Sequence, residues 1–235
     1  MKAVWRTDIG LVRRSNQDSL LIGTGTYPIY AVADGMGGHR GGNIASAMAI
    51  DGLKNCLAGQ VPAPDSITRC YEQITNSIYA RQQHDSALSG MGTTLTMLWE
   101  AEKHIYLGHV GDSRAYLLRG GQLMQQSTDH SLVGELLQSG VLDEQEARSY
   151  PYRNVVTRAV GTERYIRCDT AVADKLPGDR WLLCSDGLTE YVTSEEILAI
   201  MSLPDMEQAA DAFVQAALSG GGQDNVTLIL LEVAS

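Results

Sequence analysis

The sequence predicts an α+β protein in which antiparallel sheets are covered by pairs of helices. Runs with strand character follow one another across short turns, which is typical of β-hairpins. Runs with helical spacing also come in pairs, so strands and helices do not alternate along the chain as they would in a parallel α/β protein. No proline- or serine-rich linker divides the 235 residues, and we therefore expect a single domain.

The first part of the chain predicts one strand and two helices. The apolar run Tyr27–Ala33 indicates a strand that stops at Asp34 and enters a glycine-rich turn. After the turn, residues 43–57 carry apolar side chains at helical spacing, and Asn43 is a candidate cap for this helix. The segment from Pro64 to about His84 has a second apolar stripe at the same spacing. These two helices would form the first pair.

The middle of the chain predicts two hairpins. Thr93–Trp99 and His104–Val110 are rich in strand-forming residues and are joined by a short polar connection. Arg114–Leu118 and Gln122–Gln125 flank Gly120-Gly121, a pair of glycines that suits a two-residue hairpin turn. Four antiparallel strands are therefore expected in this region.

The last part of the chain returns to helical spacing and then ends on a strand. Residues 131–149 predict a helical segment, and Trp181–Cys184 predicts a strand. Ser194–Met201 and Met206–Leu218 predict a second helix pair, with Ser194 as the candidate N-cap of the first. Val226–Val233 predicts the final strand.

Charge and composition exclude several classes of protein. The chain has 28 acidic and 18 basic residues, a formal net charge of −10, and no run of Lys or Arg, so we expect no nucleic-acid partner. The N-terminus has no signal-peptide pattern and no segment approaches the length of a membrane-spanning helix, so we expect a cytoplasmic protein without a membrane partner. The four cysteines, none at zinc-ligand spacing, fit a reducing compartment: Cys56, Cys70, Cys168 and Cys184.

Four aspartates share one local setting, which is the end or the beginning of a predicted strand with a glycine close by. They are Asp34, Asp112, Asp186 and Asp224. Mg²⁺ and Mn²⁺ prefer carboxylate, carbonyl and water oxygens, and a pair of such ions can promote phosphoryl transfer. We expect Asp34 to bridge the two ions. A single Asp-Gly after a strand is more often a turn than a ligand, so spacing alone leaves both interpretations open.

The residues around these acids resemble the metal-dependent protein phosphatases, the PPM or protein phosphatase 2C family, in its compact bacterial form. The similar segments run in the family's order through nearly the whole chain: Arg13-Arg14-Ser15-Asn16-Gln17-Asp18, Val32-Ala33-Asp34-Gly35-Met36-Gly37-Gly38-His39, Gly92-Thr93-Thr94, His109-Val110-Gly111-Asp112-Ser113-Arg114, Ser127-Thr128-Asp129-His130, Val156-Thr157-Arg158-Ala159-Val160-Gly161, Leu183-Cys184-Ser185-Asp186-Gly187-Leu188 and Gly222-Gln223-Asp224-Asn225-Val226-Thr227. Eight motifs in order are far more specific than any one of them.

The resemblance implies a fold and a metal centre. The fold would be a central β-sandwich of two antiparallel sheets flanked on each side by paired helices, with the metals in a cleft at one end. Asp34 would bridge two Mg²⁺ or Mn²⁺ ions, the carbonyl of Gly35 would bind one of them, and Asp186 and Asp224 would bind the other. Asp112 would hold a third ion together with Asp186.

The resemblance also implies roles for residues that do not bind metal directly. Asp18 would act through metal-bound water, and Arg13 would bind the phosphate, for which a guanidinium fork is well suited. Many eukaryotic relatives have a histidine where this chain has Met36, so the proton donor is open. His39 matches the bacterial pattern and is the candidate to contact substrate or assist the leaving group, with a structural role as the open alternative. Residues 132–160 match a helical flap beside the cleft that would contact the substrate protein.

The implied activity is hydrolysis of phosphoserine and phosphothreonine by direct attack of a metal-activated water, without a phosphoenzyme. We expect a monomer that acts on phosphorylated proteins, including targets of a Ser/Thr kinase. A metal hydrolase of small phosphate esters is the alternative enzyme. A catalytically inactive relative that serves as a binding module is the alternative without activity, but it would be expected to lack one of the metal acids, and all four are present.

Overall fold

The computed structural model describes residues 1–143, 146–147 and 150–234, and for residues 38–40 the backbone alone. Its described part contains two antiparallel sheets and six α-helices, so the predicted α+β class is confirmed. No helix among the described residues is both long and apolar enough to cross a membrane.

The first sheet has five strands in the order β1-β11-β10-β7-β8. Their bounds are β1 Lys2–Asp8, β7 Arg114–Arg119, β8 Gln122–Gln125, β10 Arg180–Cys184 and β11 Val226–Glu232. The β7–β8 hairpin turns at Gly120 and Gly121, whose φ angles are both positive at 57° and 80°. Two successive positive φ angles define the hairpin turn that the glycine pair predicts.

The second sheet has the order β2-β3-β5-β6-β9, with β4 paired to the end of β3. Its strands are β2 Asp18–Ile22, β3 Ile29–Met36, β4 Gly92–Thr93, β5 Leu95–Glu100, β6 His104–Val110 and β9 Asp169–Asp174. The β5–β6 pair is the first of the two predicted hairpins.

Six helices lie in the described part of the chain: α1 Gly38–Leu57, α2 Pro64–His84, α3 Leu132–Gln138, α4 Asp186–Thr189, α5 Ser194–Met201 and α6 Met206–Gly220. A 3₁₀ turn, Ser86–Leu88, follows α2. The helices α1 and α2 pack against each other, as do α5 and α6.

Alternation along the strands produces the four layers. In β3, Tyr30 and Val32 belong to the core between the two sheets, together with Trp181 and Ile229 from the first sheet. Their neighbours Ala31 and Ala33 face the other way, into the core shared with α1 and α2. Because both faces of the central strands are buried, these strands appear in the sequence as continuous apolar runs rather than as a strict alternation. The layer order is therefore helices, sheet, sheet, helices.

Two predictions about helix starts were wrong. The helix predicted over residues 43–57 begins five residues earlier, at Gly38, so Asn43 lies inside it and does not cap it. The cap of α5 is Thr193 rather than Ser194, because Thr193 and Glu196 form a reciprocal capping box. The helical segment predicted over residues 131–149 is confirmed for α3 only. Residues 144–145 and 148–149 lie outside the described part of the chain.

Candidate metal centre

A cleft of about 670 Å³ at one end of the sandwich contains the acidic residues predicted as metal ligands. Asp34, Asp112, Asp186 and Asp224 all line it, and so do Gly35 and Arg13. The acids come from both sheets, because the ends of β3 and β6 in one sheet meet the end of β10 and the start of β11 in the other. The fold therefore brings together acids that are up to 190 positions apart in sequence.

Asp18 and Asp34 occupy directly opposed positions on the antiparallel pair β2–β3. Opposed residues on such strands have Cβ atoms only about 4.5–5.5 Å apart, so two carboxylates in these positions repel each other. The backbone around Asp34 is fixed on the other side: its N–H donates to Thr94 Oγ1 at 2.9 Å, and its carbonyl accepts from the Thr94 N–H at 2.8 Å. The strand pairing thus holds a repulsive arrangement in place.

Gly35 follows Asp34 at a point where the backbone of β3 meets the start of α1. A Cβ at this position would collide with the carbonyl oxygen of Gly42 and would lie 2.7 Å from the carbonyl oxygen of Gln17. Only glycine allows this approach. The turn therefore stays close-packed, with Gly35 in the wall of the cleft.

Asp112 lies in the turn between β6 and β7 and is 9% exposed. The turn begins at Gly111, whose φ of 109° is accessible mainly to glycine. His130 closes the turn from behind, because its backbone N–H donates to the Gly111 carbonyl at 2.8 Å and its Nδ1 accepts from the Gly111 N–H at 3.1 Å. This double contact fixes the backbone from which the Asp112 side chain extends.

Asp186 and Asp224 approach each other where the ends of β10 and β11 meet. Asp186 is the first residue of α4, two positions after the end of β10, and Asp224 lies two positions before the start of β11. Gly187 permits the approach, because a Cβ there would collide with the carbonyl oxygen of Asn225. The two acids therefore sit on adjacent, closely packed backbone segments.

Burial and mutual repulsion raise the pKa values of most of these carboxyl groups. Burial raises the pKa of Asp112 to about 8, with the charge of Asp186 adding to the effect. Burial also raises the pKa of Asp18 to about 7 and of Asp186 to about 6. The pKa of Asp34 is raised well above its ordinary value by burial and by the surrounding acids, Asp18 first. Several anions are thus gathered where each opposes the ionisation of the others.

The donor set fits hard divalent cations. Two buried carboxylate oxygens, Asp18 Oδ1 and Asp186 Oδ1, have no hydrogen-bond partner among the described residues. Unpaired buried acceptors beside other carboxylates need a positive charge, and oxygen-only donors suit Mg²⁺ and Mn²⁺. No three acidic, histidine or cysteine side chains in the described part of the chain already converge on one point. Backbone carbonyls and water are therefore needed to complete the ligand set of any bound ion.

Arg13 forms an ion pair with one of the acids in the cleft. Its Nη2 donates to Asp224 Oδ2 at 2.6 Å, and the pair raises the pKa of Arg13, chiefly through this hydrogen bond. The Arg13 side chain is 52% exposed, so it can leave Asp224 without disturbing the core. Arg14 also lines the cleft but has no hydrogen bond or ion pair in the described structure. Of the two adjacent arginines, Arg13 is the one that reaches the acids.

A methionine and three histidines in the motifs bear on which group could donate a proton to the leaving oxygen. Met36 ends β3 and lines the cleft, with a thioether that carries no acidic proton. The side chain of His39 lies outside the described part of the structure. The two other histidines in the motifs, His109 and His130, are buried and hydrogen-bonded: His109 contacts Thr96 Oγ1 and the Thr128 carbonyl at 2.8 and 2.9 Å.

Three residues that organise the site have no role predicted from the sequence. Asn225 accepts from the Gln17 N–H at 2.8 Å and donates to the carbonyls of Ile9 and Ser15, so it attaches the Arg13 loop to the strand that follows Asp224. Ser185 donates to Asp18 Oδ2 at 2.9 Å. Thr94 holds the Asp34 backbone. Each of the three adjoins a predicted metal ligand or lies in one of the eight family-like segments, and only this position in the sequence could have indicated a role.

Comparisons with known proteins identify relatives of this chain in sequence and in fold. Residues 13–220 match the protein phosphatase 2C family. The serine/threonine phosphatase stp of Listeria monocytogenes is 37% identical over 241 residues, which cover 99% of this chain and 96% of the relative. The crystal structure of the Mycobacterium tuberculosis serine/threonine phosphatase PstP/Ppp is 36% identical and superposes with a TM-score of 0.92, covering 100% of this chain and 99% of that one.

A further solved structure bears on the metal centre. The catalytic domain of the serine/threonine protein phosphatase PstP in complex with two manganese ions is 34% identical to this chain. It has a TM-score of 0.90 and covers 100% of this chain and 98% of that one. A relative with the same fold thus binds two ions of the class that the acidic cleft favours.

Proposed function

The chain belongs to the protein phosphatase 2C family, and we propose that it is a metal-dependent protein phosphatase that hydrolyses phosphoserine and phosphothreonine. One observation carries the proposal: the carboxyl groups of Asp34, Asp112, Asp186 and Asp224 meet in one cleft, with Asp18 buried opposite Asp34 on the neighbouring strand. Burial and repulsion disfavour the charges of the four buried acids, Asp18, Asp34, Asp112 and Asp186. Such an arrangement is unfavourable by itself and becomes favourable when it binds cations.

We propose the following division of labour among the acids. Asp34 bridges two Mg²⁺ or Mn²⁺ ions. The carbonyl of Gly35 also binds one of these ions, and Asp186 and Asp224 bind the other. Asp112, with Asp186, holds a third ion. Asp18, which receives a hydrogen bond from Ser185, acts through water. Bound metal ions supply positive charge for the phosphate and a water activated for attack on phosphorus.

Arg13 binds the phosphate in this proposal. A guanidinium presents two parallel N–H donors to a phosphate dianion, which a lysine ammonium cannot do in the same geometry. The half-exposed side chain lies beside Asp224, so a small rotation brings it from the carboxylate to a bound phosphate. We keep His39 as the candidate proton donor to the leaving serine or threonine oxygen, because Met36 has no proton to give.

The wider setting is proposed on the same basis. The substrates are phosphorylated proteins, including targets of a Ser/Thr kinase, and residues 132–160 form a flap that contacts them. The protein acts as a single-domain monomer in the cytoplasm, without nucleic-acid or membrane partners. The net charge of −10 supports the expectation of no nucleic-acid partner. The lack of a membrane-spanning helix among the described residues supports the expectation of no membrane partner.

A phosphate-release assay tests the proposal. A phosphothreonine peptide and a small aryl phosphate are each incubated with the protein in Mn²⁺, in Mg²⁺ and in excess chelator. We expect turnover of both substrates with either metal and none with chelator. Turnover that survives chelation would contradict the metal mechanism, and turnover of the aryl phosphate alone would favour a hydrolase of small esters.

A further inference from the structure

A second cavity opens beside the metal cleft and belongs to none of the roles assigned so far. Its volume is about 320 Å³, and it shares Asp112, Asn154 and Asp186 with the cleft, so the two spaces adjoin. Its lining comes from α3, from Arg153 and Asn154 further along the chain, and from residues 189–194 at the end of α4 and the start of α5. We call this space the flap-side cavity.

The floor of the flap-side cavity is formed by an ion pair between Arg114 and Asp129. Asp129 receives Arg114 Nε and Nη2, with Nη2 at 2.6 Å from Oδ2, and Gln125 Nε2 donates to its Oδ1 at 2.9 Å. The remaining Nη1 of Arg114 donates to Tyr116 Oη at 3.1 Å. Because the charges of Arg114 and Asp129 neutralise each other in this bidentate pair, the floor has no net charge to attract a ligand.

The charge at the mouth is held more loosely. Glu190 Oε1 accepts from Arg153 Nη2 at 2.9 Å, and this is the one ion pair of Glu190 in the described part of the chain. The Glu190 side chain is 19% exposed, whereas that of Arg153 is 43% exposed. A half-exposed pair is weak, so Arg153 can leave while Glu190 stays in the wall. Glu190 is therefore the acidic side chain that is available to bind a positively charged group of the substrate.

The distance from Glu190 to the metal acids suits an extended peptide. Glu190 follows Asp186 by four residues and continues the helical backbone of α4, so the two Cα atoms are about 6 Å apart. An extended chain advances about 3.3 Å per residue. A residue one or two positions from the phosphorylated one can therefore place its side chain against Glu190.

We propose that the flap-side cavity binds the arginine or lysine side chain of a residue next to, or second from, the phosphorylated one, with Glu190 as the acid that selects it. This rests on the proposed phosphatase function. The aliphatic stem packs on Val133, Leu137 and Val192, while the cationic head replaces Arg153 at Glu190. Once Arg153 has left it, the Glu190 carboxylate favours a cation over a carboxylate at this end of the cavity.

Paired phosphothreonine peptides test the proposal. Each peptide carries Arg at one of the two positions before or after phosphothreonine, and its partner carries Gln there. The wild-type protein, assayed with saturating Mn²⁺, is expected to favour the Arg peptide at one or more positions by about threefold to fivefold in kcat/KM. Glu190→Gln should bring this ratio close to one, and Arg153→Gln should raise it above the wild-type value.

Glu195→Gln is the matched control, because it removes an equal charge from an exposed position that does not line the cavity. It should keep the wild-type ratio, and all variants should hydrolyse an aryl phosphate within about twofold of one another. An Arg/Gln ratio of one at every position in the wild type, or a preference unchanged in Glu190→Gln, would overturn the inference while leaving the phosphatase function intact. Failure to hydrolyse either class of substrate would instead overturn that function.

Arg153→Gln keeps the test decisive if Glu190→Gln does not fold. Arg153 is half-exposed and at the surface, so its loss should leave the fold unchanged and free Glu190 for substrate. An Arg/Gln ratio that falls below the wild-type value in Arg153→Gln would count against Glu190 as the selecting acid.

Discussion

Arg13 and Arg14 are neighbours with the same side chain, yet the structure separates their environments. Arg13 hydrogen-bonds to Asp224 at 2.6 Å, whereas Arg14 lines the cleft without a partner among the described residues. The sequence could not distinguish them, because adjacent residues in a loop have no periodicity from which their directions can be read. At this scale the resemblance to a family, rather than the pattern of the residues, selects Arg13.

Substitution of the two arginines provides the first prediction. Loss of Arg13 in Arg13→Ala removes a charge-assisted phosphate contact, and we expect kcat/KM for a phosphopeptide to fall by roughly 10- to 100-fold. Arg13→Lys should recover only part of the loss, because an ammonium cannot make the paired contact. Arg14→Ala serves as the control in the same steady-state assay and should change kcat/KM by less than Arg13→Ala. Equal losses in the two alanine variants would contradict the assignment.

At the scale of elements, the apolar pattern identified the central strands and failed at the edges. The predicted strands β3, β5, β6, β7, β10 and β11 lie inside the sheets. The strands that were not predicted, β1, β2 and β9, are all edge strands, and the burial of their residues is partial, as in β9, where no residue is buried. An edge strand contacts one neighbour and faces solvent, so its sequence need not be continuously apolar. The edge strand β8 was found only through its glycine turn.

The metal acids illustrate the same limit. Their positions at strand ends were predictable, because a strand's apolar run stops where the acid begins. Which strands face each other is decided by sheet order and by the packing of one sheet on the other, and neither follows from local sequence. The opposition of Asp18 and Asp34 on β2 and β3 is an example, since β2 itself was not predicted.

The loop that carries Arg13 provides the second prediction. Asn225 attaches this loop through one accepted and two donated hydrogen bonds, and its side chain is 3% exposed. In Asn225→Ala these partners lose their bonds, so we expect a loss of about 2–4 kcal/mol in the free energy of unfolding and a higher KM for phosphopeptide. Urea unfolding and steady-state kinetics measure the two effects. Asn76→Ala, at an exposed site on α2, should change neither; unchanged KM in Asn225→Ala would show that the loop is held by other contacts.

The β5–β6 hairpin provides the third prediction, through His109. Burial lowers the pKa of this imidazole to about 4, below its ordinary value of 6.5. The unfolded chain therefore binds a proton between pH 6.5 and about 4 that the folded protein does not, so His109 makes stability fall as the pH falls through this window. The contribution is roughly 2 kcal/mol between pH 7 and pH 5.

Urea unfolding of the wild type and His109→Gln at pH 7 and pH 5 isolates this contribution. We expect the variant to be less stable than the wild type at both pH values, because Thr96 and the Thr128 carbonyl lose an imidazole partner. The informative quantity is the difference between the two pH values, which should be smaller in the variant by the amount above. An equal pH dependence in both proteins would show that His109 is protonated in the folded state.

At the scale of the whole molecule, the sandwich stabilises an arrangement that its local parts disfavour. Three apolar cores, one between the sheets and one under each helix pair, fix the ends of strands from both sheets around a single cleft. The acids at those ends cannot move apart without disturbing these cores. The fold thus maintains a concentration of negative charge that free carboxylates would avoid, and cations relieve it.

The number of Mn²⁺ ions bound per chain tests this account most directly, because it does not depend on any substrate. Equilibrium dialysis with Mn²⁺ should show at least two ions bound to the wild-type protein, and Asp34→Asn should lose both of the ions that Asp34 bridges. Asp51→Asn, an exposed acid on α1, should bind as the wild type does. Undiminished binding in Asp34→Asn, or no binding to the wild type, would contradict the account.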